Sequence, residues 1–267
     1  MGVRCRQLNP GGAGHTEGDG QDAHPTNGTD GANSGLVMEG QETPLPRGYR
    51  LRIAGFAVAA VAGTGLLYVG LDFLATLQRL DVVEHERDEW QRPAEILQAL
   101  DLHDGQVVAD LGCGSGYFAL KLSRTVGSTG RVLAVDIRGL PLLFLRTRAW
   151  RLGTENVSVI RGRPDDPELP DDTLHSVLVL NTYHELEDAP VVLAHVHRAL
   201  RPAGLLVVVD RGRRSAGTPT PGEHELTPTE CEAGLRASGF EIVRRDDMFI
   251  DRPGDPDLWW MIVARRP

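Results

Sequence analysis

The residues best placed to do chemistry cluster at two acidic strand ends. Val107 to Gly116 reads VVADLGCGSG: an apolar run stops at Asp110, and Gly112, Gly114 and Gly116 follow at alternate positions. Glycines in a strand-to-helix turn let backbone approach a ligand closely, because no Cβ stands in the way. A dinucleotide fingerprint would place a third small residue three positions after Gly114, where the helix packs on the strand and a pyrophosphate sits at its N-terminus. That position is Tyr117. A carboxylate at Asp110 suits a ligand bearing positive charge better than one bearing phosphates; taken alone, the motif could also be an ordinary glycine turn. Twenty residues past Gly116 the run Arg131 to Val135 ends in Asp136, where the second strand of such a unit sets an acid for a ribose diol. Two charge-assisted hydrogen bonds from one carboxylate to a diol contribute roughly 1.5 to 3 kcal/mol each.

A second group, Tyr183-His184-Glu185, follows the apolar run Leu174 to Leu180. The carboxyl edge of an α/β sheet is where such proteins place ligands. His184 could take a proton from a hydroxyl or amine near neutral pH, with Glu185 orienting it or binding an acceptor amine. The plainer reading is a loop histidine bonded to backbone, with Glu185 opening a solvated helix. His195 and His197, two apart on a helix, point to different faces and read as surface or packing residues. Cys5, Cys113 and Cys231 are odd in number and widely spaced, so they form neither a disulfide framework nor a zinc pattern, and no metal is expected.

The elements that must hold these residues alternate. Pro93 suits the first turn of a helix, PAEILQALDL, ending at His103-Asp104-Gly105. Strands are expected at Val107 onward, Val132–Asp136, Val157–Ile160, Leu174–Leu180 and Leu205–Val209, with helices over Tyr117–Val126, Pro141–Leu152 and Ala189–Leu200 between them. The uninterrupted apolar character of Leu174–Leu180 is that of a central parallel strand covered on both faces. A helix at Thr227–Ser238 and strands at Glu241–Arg245 and Leu258–Ala264 complete an α/β fold: a doubly wound, mostly parallel seven-stranded sheet.

The N-terminal third is different. Residues 1–46 hold ten glycines and few aliphatics, the composition of a disordered tail. From Ile53 to Leu71 no charge occurs. Nineteen residues at 1.5 Å each span about 28 Å, close to a hydrocarbon core. The segment is too long for a signal-peptide core and no small-residue cleavage site follows it. A single transmembrane helix over residues 50–77 is expected, then a linker and N-terminal cap over 78–92 and the catalytic domain over 93–267. The competing reading is a buried helix of the fold. Gly55, Ala59 and Gly63 would let two such helices approach as a homodimer, although abundant alanine and glycine produce the same pattern. Arginines flank the span equally, so charge does not orient it.

The chain has net charge −9, most of it beyond residue 78, where 23 basic side chains face 30 acidic ones. This excess argues against a nucleic-acid partner, which would require a basic face. One lysine against 27 arginines points to a GC-rich bacterial genome.

With both acidic strand ends in place, residues from about Arg87 onward resemble a class I S-adenosylmethionine (SAM)-dependent methyltransferase domain. The segments RDEWQRPAEIL and DDPELPDDT, with VLVLNTYHEL, resemble a bacterial group of predicted methyltransferases. The resemblance implies SAM as cofactor. It implies that Asp110, Gly112, Gly114 and Gly116 cradle the methionine end, Asp136 the ribose and Ile137 the adenine. Asp165, with Asp166 nearly as good, would accept from the adenine amino group, and Asn181 would line the methyl-transfer region. His224 becomes a further catalytic candidate, because the loop after the fifth strand roofs the acceptor pocket in this family. One departure is His175, where the family often has an acid. Trp90, Arg87 and Arg92 would close over the cofactor. The implied activity is methyl transfer to a small-molecule or lipid-like acceptor by a single-pass membrane protein whose catalytic domain faces the cytoplasm, where SAM is made. The alternatives are an NAD(P)-dependent oxidoreductase, disfavoured by Tyr117, and a non-catalytic SAM-binding membrane protein.

Overall fold

The computed structural model describes residues 46–213 and 226–267. The chain divides into two units, residues 1–56 and 57–267. In the first, the described residues 46–56 are exposed and begin helix α1 (Arg47–Trp90). This helix is 44 residues long. It is exposed at every residue through Asp72, with Phe73 the first to be partly covered and Leu77 the first to be buried. The apolar stretch is therefore not a core helix of the domain. The stretch expected as a linker and N-terminal cap, residues 78–92, is helical through Trp90. No glycine or proline interrupts the chain between Gly70 and Pro93, and the intervening Leu, Arg and Glu are good helix formers.

The domain runs α2 (Pro93–Ala99), β1 (Val107–Leu111), α3 (Tyr117–Thr125), β2 (Arg131–Asp136), α4 (Gly139–Arg151), β3 (Val157–Arg161), β4 (Leu174–Leu180), a single 3₁₀ turn (Tyr183–Glu185), α5 (Ala189–Ala199), β5 (Leu200–Arg213), α6 (Pro228–Ala237), β6 (Glu241–Asp251) and β7 (Asp257–Arg265). The seven strands lie in the order β3-β2-β1-β4-β5-β7-β6. The first five are parallel, and β7 enters antiparallel between β5 and β6. Helices α2, α3 and α4 cover one face with Ile96, Leu122 and Leu145, and α5 and α6 cover the other with Val196 and Leu235. Strand order reverses between β1 and β4, so their carboxyl ends diverge into the crevice where such sheets bind ligands.

His175 stands at the start of β4. Its Nδ1 accepts the Val107 N–H at 3.1 Å, tying β1 to β4, and burial together with the Arg201 guanidinium holds its pKa below the usual value. A neutral imidazole thus supplies the acceptor that an acid would supply there.

Candidate cofactor and acceptor site

The glycine turn after β1 is shaped by two opposite needs. Gly112 has φ +79°, and a Cβ there would come within 2.1 Å of Thr182 Oγ1, so the turn can close on the β4 edge only without a side chain. At Gly114 a Cβ would meet nothing within 4 Å. Its φ of +53° favours glycine there, and the groove beside it is open.

That groove has two lobes, which share Gly112, Arg138, Thr182 and Glu185. One is walled by Ile137, Pro164, Pro167 and Leu186 and is largely apolar. The other is polar, with Asp110, Gly114, Asn181 and Arg87 in its wall. Asp136 lies at the first lobe with its carboxylate buried, accepting the Gly114 N–H at 2.9 Å and the Arg138 N–H at 2.8 Å. The Arg138 guanidinium also reaches this carboxylate, its Nε at 3.2 Å, while its own side chain is mostly exposed. A diol binding to Asp136 would take the place of that guanidinium.

Asp110 is buried beneath the polar lobe, and its Oδ2 has no hydrogen-bond partner. Desolvation, reinforced by the Asp136 charge and opposed by a backbone hydrogen bond from Ala119 and by Arg87, pushes its pKa up to about 7. A buried carboxyl oxygen without a donor is costly unless a ligand completes it. Asn181, ending β4, repeats the theme: φ is +51°, its N–H donates to the Val209 carbonyl at 2.8 Å, and its Oδ1 is buried without a partner. Left-handed backbone at a non-glycine residue is a local cost that concentrates at functional sites. Arg87, on α1, stacks its guanidinium over the Tyr117 ring at 4.0 Å and donates to Gln91 Oε1 at 2.9 Å. Of the three pre-sheet residues expected to close over the cofactor, only Arg87 lines the groove. Trp90 packs against Trp259 at 5.7 Å, and Arg92 lies over Phe249.

Beyond Glu185 a separate cleft opens between Tyr183, His184, Leu226 and Glu230. Glu185 lines this cleft and both lobes of the groove. His184 does not line the groove itself. Its Nδ1 lies 2.8 Å from Asp210 Oδ1 and its backbone N–H donates to Asp210 Oδ2 at 3.1 Å. Asp210 is fully buried and also accepts the Arg211 N–H at 2.8 Å. The hydrogen bond to this carboxylate raises the His184 pKa, against the opposing effect of burial. Nε2 then stands 3.9 Å from the Glu185 carboxylate. Asp210, not Glu185, is the residue that orients the imidazole.

Asp165 is exposed and does not line the groove; its neighbours Arg163, Pro164 and Pro167 do. Arg163 pairs with Asp166 at 2.7 Å and Glu168 at 2.6 Å, and Asp166 also receives the Glu168 N–H, so the turn is closed by Asp166. His224 lies outside the described residues. His195 sits 3.4 Å from Asp166 and 2.7 Å from the Arg198 guanidinium, and His197 edges onto Phe240 at 5.0 Å; neither lines the groove. Among the described residues no cluster of three or more His, Cys, Asp or Glu could hold a metal.

An open doubly wound sheet with acids at the ends of β1 and β2, a glycine turn between them and an antiparallel closing hairpin defines an α/β domain with a groove at its topological switch point. A methyltransferase-domain family model matches residues 108–204. A ubiquinone/menaquinone biosynthesis C-methyltransferase from Psychromonas ingrahamii is 32% identical over 110 residues, covering 41% of this chain and 44% of that protein. The chain therefore aligns with less than half the length of the curated relatives it matches. Among solved structures, a SAM-dependent methyltransferase from Aquifex aeolicus aligns with TM-score 0.62 and 24% identity, over 72% of this chain and 98% of that one. A Haemonchus contortus phosphoethanolamine N-methyltransferase, solved with phosphomonomethylethanolamine and S-adenosylhomocysteine, aligns with TM-score 0.57 and 16% identity over 67% of this chain and 53% of that one. Residues 108–204 thus match a methyltransferase domain, and the described domain shares its fold with SAM-dependent methyltransferases, whose methyl donor is SAM. The site fits that group: the partnerless Asp110 Oδ2 awaits a cationic donor, the space over Gly114 admits close approach, and Asp136 is set for a diol.

Proposed function

We propose that the protein transfers a methyl group from SAM to a small, lipid-like acceptor held in the cleft between His184, Glu185 and Leu226, next to a membrane crossed by α1. The observation that carries this reading is Glu185, among the described residues the one side chain common to both lobes of the cofactor groove and to the adjoining cleft. SAM, when bound, would supply an electrophilic methyl carbon on a sulfonium leaving group. Alignment of nucleophile and methyl then provides most of the acceleration. Asp110 and Asn181 would hold the charged end of the cofactor in the polar lobe, and Asp136 and Ile137 its nucleoside end in the apolar lobe. His184, its Nδ1 proton fixed by Asp210, presents Nε2 to the cleft to take the acceptor's proton where the acceptor arrives protonated.

The apolar side of the cleft, the named role of the curated relatives in ubiquinone/menaquinone biosynthesis and the exposed apolar α1 all favour a lipid-like acceptor. Among the described residues α1 is the one helix long and apolar enough to cross a membrane, through residues 53–71, with the domain on the cytoplasmic side where SAM is available. Transfer of labelled methyl groups into lipid and polar extracts identifies the acceptor. With it in hand, His184→Ala should lower turnover about 100-fold or more, since general bases contribute that much, and leave SAM affinity within about threefold, since His184 lies outside the groove. Asp210→Asn should shift the acid limb of the turnover profile to lower pH, because the carboxylate that raises the His184 pKa is gone. Equal rates and superimposable profiles would leave alignment alone to carry the reaction.

A further inference from the structure

Two opposite charges face the polar lobe of the groove without pairing with each other. Among the described residues the charged side chains that line this lobe are Arg87, Asp110, Arg138 and Glu185. Arg138 is engaged by Asp136 at 3.2 Å, and Glu185 stands 3.9 Å from His184. Asp110 is buried, and its Oδ2 has no partner. Arg87 makes one hydrogen bond, from Nε to Gln91 Oε1, and among the described residues it forms no ion pair. The acids beside it on α1 are taken: Glu84 by Arg148, and Asp88 by Lys121 and the Tyr117 hydroxyl. Arg87 and Asp110 are near enough for each charge to shift the other's titration, Arg87 lowering the Asp110 pKa and Asp110 raising that of Arg87.

The Arg87 guanidinium is nevertheless fixed in place. It stacks on the Tyr117 ring at 4.0 Å, and Tyr117 is itself tied to Asp88 at 2.6 Å. Gln91, which accepts from Nε, is fully buried. With the ring face and Nε committed, the two Nη groups remain as donors. A half-buried guanidinium without a counter-ion is costly, as is a buried carboxylate oxygen without a donor. A ligand that carries both signs on one carbon, an ammonium and a carboxylate, would satisfy the two together.

We infer that Arg87 receives the α-carboxylate of the cofactor's amino-acid end while Asp110 receives its α-ammonium, which makes the site selective for a zwitterionic cofactor. The inference rests on SAM occupying the groove. A guanidinium presenting two free Nη groups is the fork that matches a carboxylate, and charge-assisted pairs of this kind are the strong ones. Asp110 alone would hold any cation, so it does not separate SAM from the same molecule without its carboxylate. Arg87 does. Gln91 and Tyr117 act through it, by setting the plane of the fork. Arg87 lies in the last turn of α1, so the helix that begins as the apolar span ends as part of the cofactor site.

The test is calorimetric titration of the full-length protein in detergent at pH 8, above the Asp110 pKa of about 7. SAM is compared with decarboxylated SAM, which keeps the amine and the sulfonium and lacks the carboxylate. The parent should bind SAM at least about tenfold more tightly, from the charge-assisted bonds to the carboxylate. In Arg87→Gln this preference should fall to within about twofold through loss of SAM affinity. Decarboxylated SAM should bind that variant at least as well as the parent, because a repelling charge is gone, and this binding reports that the variant is folded. Asp110→Asn should weaken both ligands. A preference that survives in Arg87→Gln, or that is lost in Arg138→Gln instead, would assign the carboxylate elsewhere and overturn the inference. A parent that binds both ligands equally would overturn it and leave the SAM reading in place, whereas a parent that binds neither would remove that reading and the inference with it. If Arg87→Gln binds neither ligand, Arg87→Lys decides: it should bind decarboxylated SAM and keep part of the preference for SAM, and loss of both ligands there too would make Arg87 a structural residue and overturn the inference.

Discussion

At the scale of single residues the site is organised by carboxylates at strand ends. Three parallel strands run apolar and then meet an acid: VVAD at Asp110, VLAVD at Asp136 and LLVVVD at Asp210. The first two were legible because the glycine turn and the spacing between them announce a cofactor. Asp210 carried the same signature but no local motif, and its role emerges only from its 2.8 Å approach to His184, 26 residues away in sequence. Arg138 was equally hidden, since nothing in a sequence says that a side chain will fold back on a carboxylate two positions before it. Asp165 illustrates the converse. Adjacent acids in a loop are indistinguishable by type, and the turn is decided by which one Arg163 and the Glu168 N–H engage.

Asp110 makes a prediction in pH. Its carboxyl titrates near 3.8 when unfolded and is pushed up to about 7 in the folded domain, chiefly by burial. Between these values the folded state holds a proton that the unfolded chain has lost, so this group's contribution to stability declines as pH rises from about 4 to 7 and is constant above. Cofactor binding has the opposite sense, because a cationic ligand favours the ionised form. SAM affinity should weaken about tenfold per pH unit below 7 and level off above it. In Asp110→Asn the slope should vanish along with part of the affinity. A calorimetric Kd series from pH 5.5 to 8 checks this, and a flat wild-type profile would show that Asp110 does not face the cofactor.

At the scale of elements, strand positions follow from apolar runs, and β4 coincides with its expected range of Leu174–Leu180. Helix ends and the long β5 and β6 extensions were less legible, because antiparallel pairing with β7 draws polar residues such as Arg211 and Asp246 into the sheet. The main difference is α1, which carries the same helix from the apolar span into the domain. Its end is clamped by Arg148, buried to 4% exposure between the Glu84 carboxylate and the Ser115 carbonyl of the glycine turn at 2.7 Å. One buried guanidinium thus joins α1, α4 and the cofactor loop. Removing one member of such a pair leaves the other charge buried, at a cost of about 3–5 kcal/mol. Arg148 keeps a second carboxylate, Asp81 at 3.6 Å, so Glu84→Ala should cost less than that, about 1.5–3 kcal/mol in urea unfolding, whereas Glu84→Ala combined with Arg148→Met should recover a large part of the loss. If the single variant costs less than about 1 kcal/mol, the pair does not clamp the helix.

At the scale of the whole molecule, the acidic balance, the exposed apolar α1 and the groove above the β1–β4 divergence describe one arrangement: a cofactor-binding domain fixed closely to the helix proposed to hold it at a membrane. The cofactor class was readable from about ten residues because close backbone approach and charge complementarity constrain them tightly. The acceptor was not, since the cleft beside His184 is formed by residues far apart in sequence, whose types serve many chemistries. Everything downstream depends on what the groove binds. The direct measurement is calorimetric titration of the full-length protein in detergent with SAM and, separately, with NAD, repeated on Asp136→Ala. The groove geometry predicts binding of SAM with no measurable binding of NAD, and a loss of at least about tenfold in SAM affinity in the variant, from the hydrogen bonds to the diol. Binding of NAD in preference to SAM, or an Asp136→Ala variant that binds SAM as well as the parent, would contradict it.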